Sequence, residues 1–112
     1  MRGRNAVLVA IATAGIIGCG SASGTRDVQA IMQLIEHHYK APSCDDLTVA
    51  GRQAFGHPTD DAACAVDIAK QEPKSVTVTT VHVTGATGTA VADRFTFQVV
   101  KRGSRWLIDG GH

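Results

Sequence analysis

Apolar positions along this chain follow three different rules. From Ala6 to Ile17 (AVLVAIATAGII) they run almost unbroken, without an amphipathic period. A bilayer-spanning helix needs about 20 such residues, so this run is too short to span. From Val28 the spacing turns helical: Val28, Ile31, Met32, Ile35 and Tyr39 stand at i, i+3, i+4, i+7 and i+11. That stripe predicts an amphipathic helix starting near Thr25 or Arg26. Ala41-Pro42 ends it, because a residue before proline disfavours helix. After Lys74 the rule becomes alternation. Ser75 to Val83 (SVTVTTVHV) reads as a strand, and Val76 and Val78 are out of phase with Val81 and Val83. A bulge at Thr79-Thr80 would reconcile the two phases.

Between helix and strand lie two shorter helical signals. Ser43 with Asp46 three residues on resembles a capping box opening a helix that reaches Phe55. Thr59, followed by Asp60 and Asp61, starts a third helix that runs to about Gln71 and stops at Pro73. Beyond the first strand, Gly85 to Gly88 reads as a turn and Thr89 to Lys101 as one long strand. That strand puts Val91, Phe95, Phe97 and Val99 on one face, and Ala92, Arg94, Thr96 and Gln98 on the other. Arg102-Gly103-Ser104 predicts a tight hairpin before a last strand, Arg105 to Asp109. Helices followed by an antiparallel meander predict an α+β fold.

The N-terminal run has Arg2 and Arg4 before it and no acidic residue nearby, the pattern of a signal peptide covering residues 1–18. It closes on Ile16-Ile17-Gly18-Cys19, which resembles the lipobox of bacterial lipoproteins, where the cysteine is diacylated and becomes the new N-terminus. Gly18 and Ile16 match that pattern; Ile17 departs from it, since a small residue usually stands there. Two acyl chains suffice for stable anchoring. The competing arrangement is cleavage after Ser21-Ala22-Ser23, which would discard Cys19 and leave a secreted chain. Residues 19–25 (CGSASGT) read as a flexible tether, and residues 26–112 as one domain.

The chain has three cysteines, Cys19, Cys44 and Cys64, and an odd number in an exported protein calls for an explanation. Lipidation of Cys19 leaves Cys44 and Cys64 to pair, stapling the second helix to the third. Two unpaired buried thiols are the alternative, which an oxidising compartment disfavours.

Composition narrows the function classes. Of the eleven basic residues Arg2 and Arg4 fall in the leader, leaving nine against ten acidic ones, a net charge of −1. Without a basic stripe, nucleic acid is an unsuitable partner. The histidines His57, His82 and His112 show no metal-ligand spacing, and neither do the cysteines. The sequence contains no phosphate loop or nucleophile elbow, and nothing in it calls for a cofactor.

An amphipathic first helix, two short helices and an antiparallel sheet closing on Gly103, Trp106, Ile108, Asp109 and Gly110 (G-x-x-W-x-I-D-G) resemble the nuclear transport factor 2-like superfamily. More narrowly, the chain is similar to small actinobacterial lipoproteins of that superfamily, which carry a cysteine pair between the helices. The resemblance covers roughly residues 26–110. It implies a cone in which the helix and a curved sheet enclose a pocket. Some members are ketosteroid isomerases or dehydratases, so fold alone leaves function open.

Asp93 is the first candidate for chemistry. Strict alternation puts it in phase with Phe95 and Phe97, and the resemblance implies that a pocket carboxylate would serve as general base. The plainer alternative, and the favoured one, is a solvated carboxylate near the strand's outer end or paired with Arg94 or Arg105. Tyr39 and His37 are candidate partners for it; His37 and His38 are expected on the surface, just off the apolar stripe. Trp106 is expected to plug the last hairpin rather than stack on a ligand. These residues predict a non-enzymatic lipoprotein on the outer face of the cytoplasmic membrane, binding a small apolar ligand or an envelope protein. The alternatives are an isomerase or dehydratase built on Asp93, and a structural envelope protein, as a homodimer through the open sheet face.

Overall fold

The first helix begins earlier than its apolar stripe requires. In the computed structural model, which describes residues 21–112, α1 spans Ser21–Lys40. Ser21 to Thr25 therefore belong to a helix instead of a flexible tether. Extending an existing helix costs far less than nucleating one, so a segment without proline continues the helix that the stripe nucleates. The signal peptide and the lipidation of Cys19 concern positions outside the described residues. Ile31 and Ile35 are fully buried, and Val28, Met32 and Tyr39 partly so, as the stripe predicts. His38 is buried as well, which corrects its expected place on the surface. It stands three residues after Ile35 and seven after Ile31, so helical geometry carries it onto the same face.

The second predicted helix is divided. Ser43 caps a 3₁₀ turn, Cys44–Asp46, by accepting a hydrogen bond from the Asp45 N–H. Leu47 then forms a parallel bridge to Ile108, and Thr48 caps a separate helix, α2 (Val49–Ala54), through the Gly51 N–H. The break follows from packing. Here the backbone runs against the sheet edge, where Thr48 N–H donates to the Ile108 carbonyl at 2.9 Å. Gly51 lets α2 come equally close, because a Cβ there would collide with that same carbonyl. Asp60 caps α3 (Asp61–Ile68), which stops short of the predicted Gln71. A disulfide joins Cys44 to Cys64 with a Cα–Cα distance of 6.2 Å, tying the 3₁₀ turn to α3.

Four strands follow as an antiparallel meander in the order β1-β2-β3-β4, giving an α+β fold: β1 (Val78–Thr84), β2 (Thr87–Ala92), β3 (Phe95–Arg102) and β4 (Arg105–Gly111). β1 starts at Val78 and not at Ser75. Ala92, its partner, is the last residue of β2, and the Val78 N–H donates to Glu36 Oε2 of α1 instead of to a strand. The expected bulge lies between Val78 and Thr80. It turns Val78, Val81 and Val83 toward α1 together.

The long predicted strand is two strands joined by a two-residue turn, Asp93-Arg94. Ala92 pairs with Phe95, and Ala90 with Phe97. The turn changes the phase: Ala90 and Ala92, rather than Val91, share the buried face with Phe95 and Phe97. Asp93 holds φ at +56°, a left-handed conformation that two-residue hairpins demand and that aspartate tolerates better than most residues. The buried layer between α1 and the sheet holds Ile31, Ile35, Phe97, Val99, Trp106 and Ile108. Trp106 is 3% exposed, and its indole N–H donates to Asp27 Oδ1 at 3.1 Å, the plug expected of it.

Candidate functional site

Aromatic rings gather where the C-terminal end of α1 meets the β2–β3 turn. Phe97 points inward from β3, its centroid 4.8 Å from that of Phe95 and 5.8 Å from that of Tyr39. Phe55, just past α2, closes the group at 5.7 Å from Phe95. The rings meet at tilted and edge-on angles, the arrangements that ring quadrupoles favour. On the solvent side Tyr39, Phe95 and Phe97 floor an open depression of about 560 Å³, lined also by Val76 and Ala92 and rimmed by Lys74, Asp93 and Arg94. That volume falls in the range of small-molecule sites, about 300–1,000 Å³.

Lys74 is held over the site in two ways. Its backbone N–H donates to the Tyr39 carbonyl at 2.9 Å, and its ammonium stands 5.8 Å from the Tyr39 ring centre, a cation–π contact. Burial among these groups pushes the Tyr39 phenol above its usual value of 10.0, because a phenolate would lose solvation. Folding then favours the neutral phenol. Its contribution to stability is complete below pH 10 and is lost as pH rises from there through the raised folded-state value. Tyr39 is the only tyrosine, so near-ultraviolet absorbance of the folded chain should show one phenol titrating above pH 10. A midpoint at or below 10 would contradict the burial.

The depression brings Tyr39 and Asp93 together but leaves out His37. Asp93 is exposed at the tip of the turn, not on the core face that alternation implied. It makes no ion pair among the described residues; Arg105, one of its expected partners, reaches Asp46 instead. Such a carboxylate lacks the dry surroundings that would equip it as a general base. His37 is exposed on a neighbouring groove with Gln33, Glu36 and Lys40, on the far side of Val76.

A second polar cluster escaped the sequence reading. His38 Nδ1 donates to Asp46 Oδ2 at 3.0 Å, and Arg105 Nη2 donates to Asp46 Oδ1 at 3.1 Å. His38 and Asp46 are 5% and 6% exposed, so each satisfies a polar group the other would leave buried. The cluster joins α1, the 3₁₀ turn and the start of β4, and the depression is not lined by it. Asp109, the aspartate of the closing motif, is likewise structural: it accepts from the Thr48 hydroxyl at 2.6 Å, fixing the cap of α2. No group of three metal-ligating side chains converges among the described residues.

No family model, curated protein or solved structure matches this chain. What it does must be argued from its own residues.

Proposed function

We propose that this chain is an exported binding module, anchored outside the cytoplasmic membrane through a diacylated Cys19, that holds a small apolar molecule in the Tyr39–Phe95–Phe97 depression. One observation carries the reading: Tyr39 and Phe95 stay partly open to solvent above the buried Phe97, at the mouth of a site of small-molecule size. Partly uncovered rings in a concave site favour an apolar ligand that covers them. The helix-to-meander order, the bulged first strand and the closing Trp106-Leu107-Ile108-Asp109-Gly110 support a cone of the nuclear transport factor 2-like kind. The short apolar leader with its arginines supports export, and the pairing of Cys44 with Cys64 leaves Cys19 as the odd cysteine that lipidation would use. An isomerase or dehydratase reading has less behind it, since Asp93 shares the depression with Tyr39 but stands in water.

Titration of the purified chain with N-phenyl-1-naphthylamine, a neutral apolar fluorophore, tests the site. Saturable binding is expected, and Phe95→Ser should abolish it while His37→Ala leaves it unchanged. A folded chain that shows no saturable binding, or equal binding by the Phe95 variant, would remove the site.

A further inference from the structure

The two ends of the sheet differ in charge as well as in shape. At the end opposite the depression, the β1–β2 turn and the β3–β4 turn lie side by side, with Lys101 N–H donating to the Ala86 carbonyl at 2.8 Å. Lys101 and Trp106, which flank the β3–β4 turn, meet α1 near its start. Asp27 pins the arrangement, accepting from Lys101 Nζ at 3.2 Å and from the Trp106 indole at 3.1 Å. Arg26 is its neighbour in α1, Lys101 reaches it directly, and Arg102 and Arg105 pair next to Lys101 across the β3–β4 hairpin. Arg26 and Arg102 are exposed and make no ion pair among the described residues; Lys101 and Arg105 keep side-chain exposures of 35% and 55%. Asp27 is the acid that faces them at this end, while Asp46 takes one Arg105 hydrogen bond from the side. Acidic residues concentrate elsewhere: the stretch from Asp45 to Glu72 carries six against Arg52 and Lys70. Four basic residues with Asp27 make this end more cationic than the depression rim, where Lys74 and Arg94 stand with Asp93.

That end is also where the chain would leave for its anchor. Six helical residues separate Ser21 from Asp27, about 9 Å at 1.5 Å per residue. The two steps back to Cys19 add at most about 7 Å, even fully extended. Asp27 therefore lies within roughly 16 Å of a lipidated Cys19, with the basic β3–β4 turn beside it. The Debye length is about 8–10 Å, and so short a tether lets the basic turn come within that distance of the surface, where anionic headgroups attract cationic residues.

We propose that Arg26, Lys101 and Arg102 form a membrane-docking end that seats the anchored domain on anionic phospholipid headgroups. This inference rests on the lipid-anchor reading of Cys19. The arrangement orients the molecule. Seven residue steps along β3 separate Phe95 from Arg102, about 23 Å at 3.3 Å per residue. With the basic end on the bilayer, the depression opens away from it, toward whatever diffuses through the envelope.

The test uses the lipidated full chain, reconstituted into vesicles of phosphatidylcholine with or without phosphatidylglycerol. A fluorophore is placed at Ser104→Cys on the basic turn or, as a control, at Asp93→Cys on the depression rim, with a quencher carried on lipid headgroups. Quenching at position 104 should be strong with phosphatidylglycerol. It should drop on pure phosphatidylcholine, at high salt, and in the Arg26→Gln, Arg102→Gln double variant, while position 93 stays unquenched throughout. Equal quenching at 104 on both lipids, no change in the double variant, or quenching at 93 as strong as at 104 would overturn docking. Flotation of the same samples separates the two ideas. A chain that floats but shows no charge-dependent quenching keeps its anchor and loses the docking end; a chain that fails to float, with no acyl mass on Cys19, removes both.

Discussion

Phe97→Ala should destabilise the domain by about 3–5 kcal/mol, the range for truncating a buried aromatic. The residue is 2% exposed and meets Tyr39, Phe55 and Phe95 ring to ring. Its cross-strand neighbours are Ala90 on β2 and Gly111 on β4, too small to move into the space it would leave. A Cβ on Gly111 would stand 2.6 Å from Phe95 and 3.1 Å from Phe55, so the aromatic layer already lies directly on that backbone. A cavity that its surroundings cannot fill costs the most, which places the expected loss in the upper half of the range. Urea unfolding followed by Trp106 fluorescence measures it, and Trp106 is the only tryptophan. Because Phe97 also floors the depression, binding of the apolar fluorophore should fall in the same variant. A loss under about 2 kcal/mol, the low end for truncating a buried aliphatic side chain, would mean that the layer relaxes around the gap.

Phe97 also shows how far the sequence reading reached. Its burial follows from alternation along β3, just as the burial of Ile31 and Ile35 follows from the helical stripe. The bulge at Val78–Thr80 is legible too, because valines that change phase within one strand leave few other solutions. Period-based reading breaks down where a turn contains no punctuation. Asp93-Arg94 has neither glycine nor proline, so two strands read as one and every face N-terminal to the turn came out inverted. The core-facing alternative for Asp93 is a product of that inversion, whereas the favoured solvated position is where the carboxylate stands. The turn shows in the pairing of Ala92 with Phe95 and in the positive φ at Asp93, a conformation that sequence expresses weakly when the residue is not glycine.

The depression was harder to foresee because its parts come from distant segments. Tyr39 closes a helix, Lys74 sits in the connection before β1, and Arg94 and Phe95 belong to a hairpin the sequence did not announce. Nothing local says that these residues converge. His38 was a different kind of miss, since its spacing from Ile31 and Ile35 already put it on the buried face. Chemical type argues for the surface, and the sequence matches Asp46 with Ser43 in a capping box rather than with His38. The 3₁₀ turn frees that carboxylate to take His38 and Arg105 instead.

Removing the disulfide through a Cys44→Ser, Cys64→Ser double variant should cost about 3 kcal/mol, the chain-entropy value for a loop of roughly 20 residues. The separation is 20 residues, and Cys64 is completely buried while Cys44 is 7% exposed. The loop would nonetheless keep its path in the folded state, because Arg52 spans the same two segments. Its guanidinium donates to the Cys44 carbonyl at 3.2 Å and to the Thr59 carbonyl at 2.9 Å. A third bond, to Asp61 at 2.7 Å, adds little, since that carboxylate is 92% exposed and well solvated. The disulfide acts mainly on the unfolded chain, and Arg52 acts on the folded one. The double cysteine variant should therefore unfold at lower urea while retaining the native spectrum and fluorophore binding. Adding Arg52→Met to that background should loosen the loop itself, seen as faster hydrogen exchange of the α3 amides below the unfolding transition. Equal exchange with and without Arg52 would show that the guanidinium is a passenger and that the covalent bond alone fixes this corner of the fold.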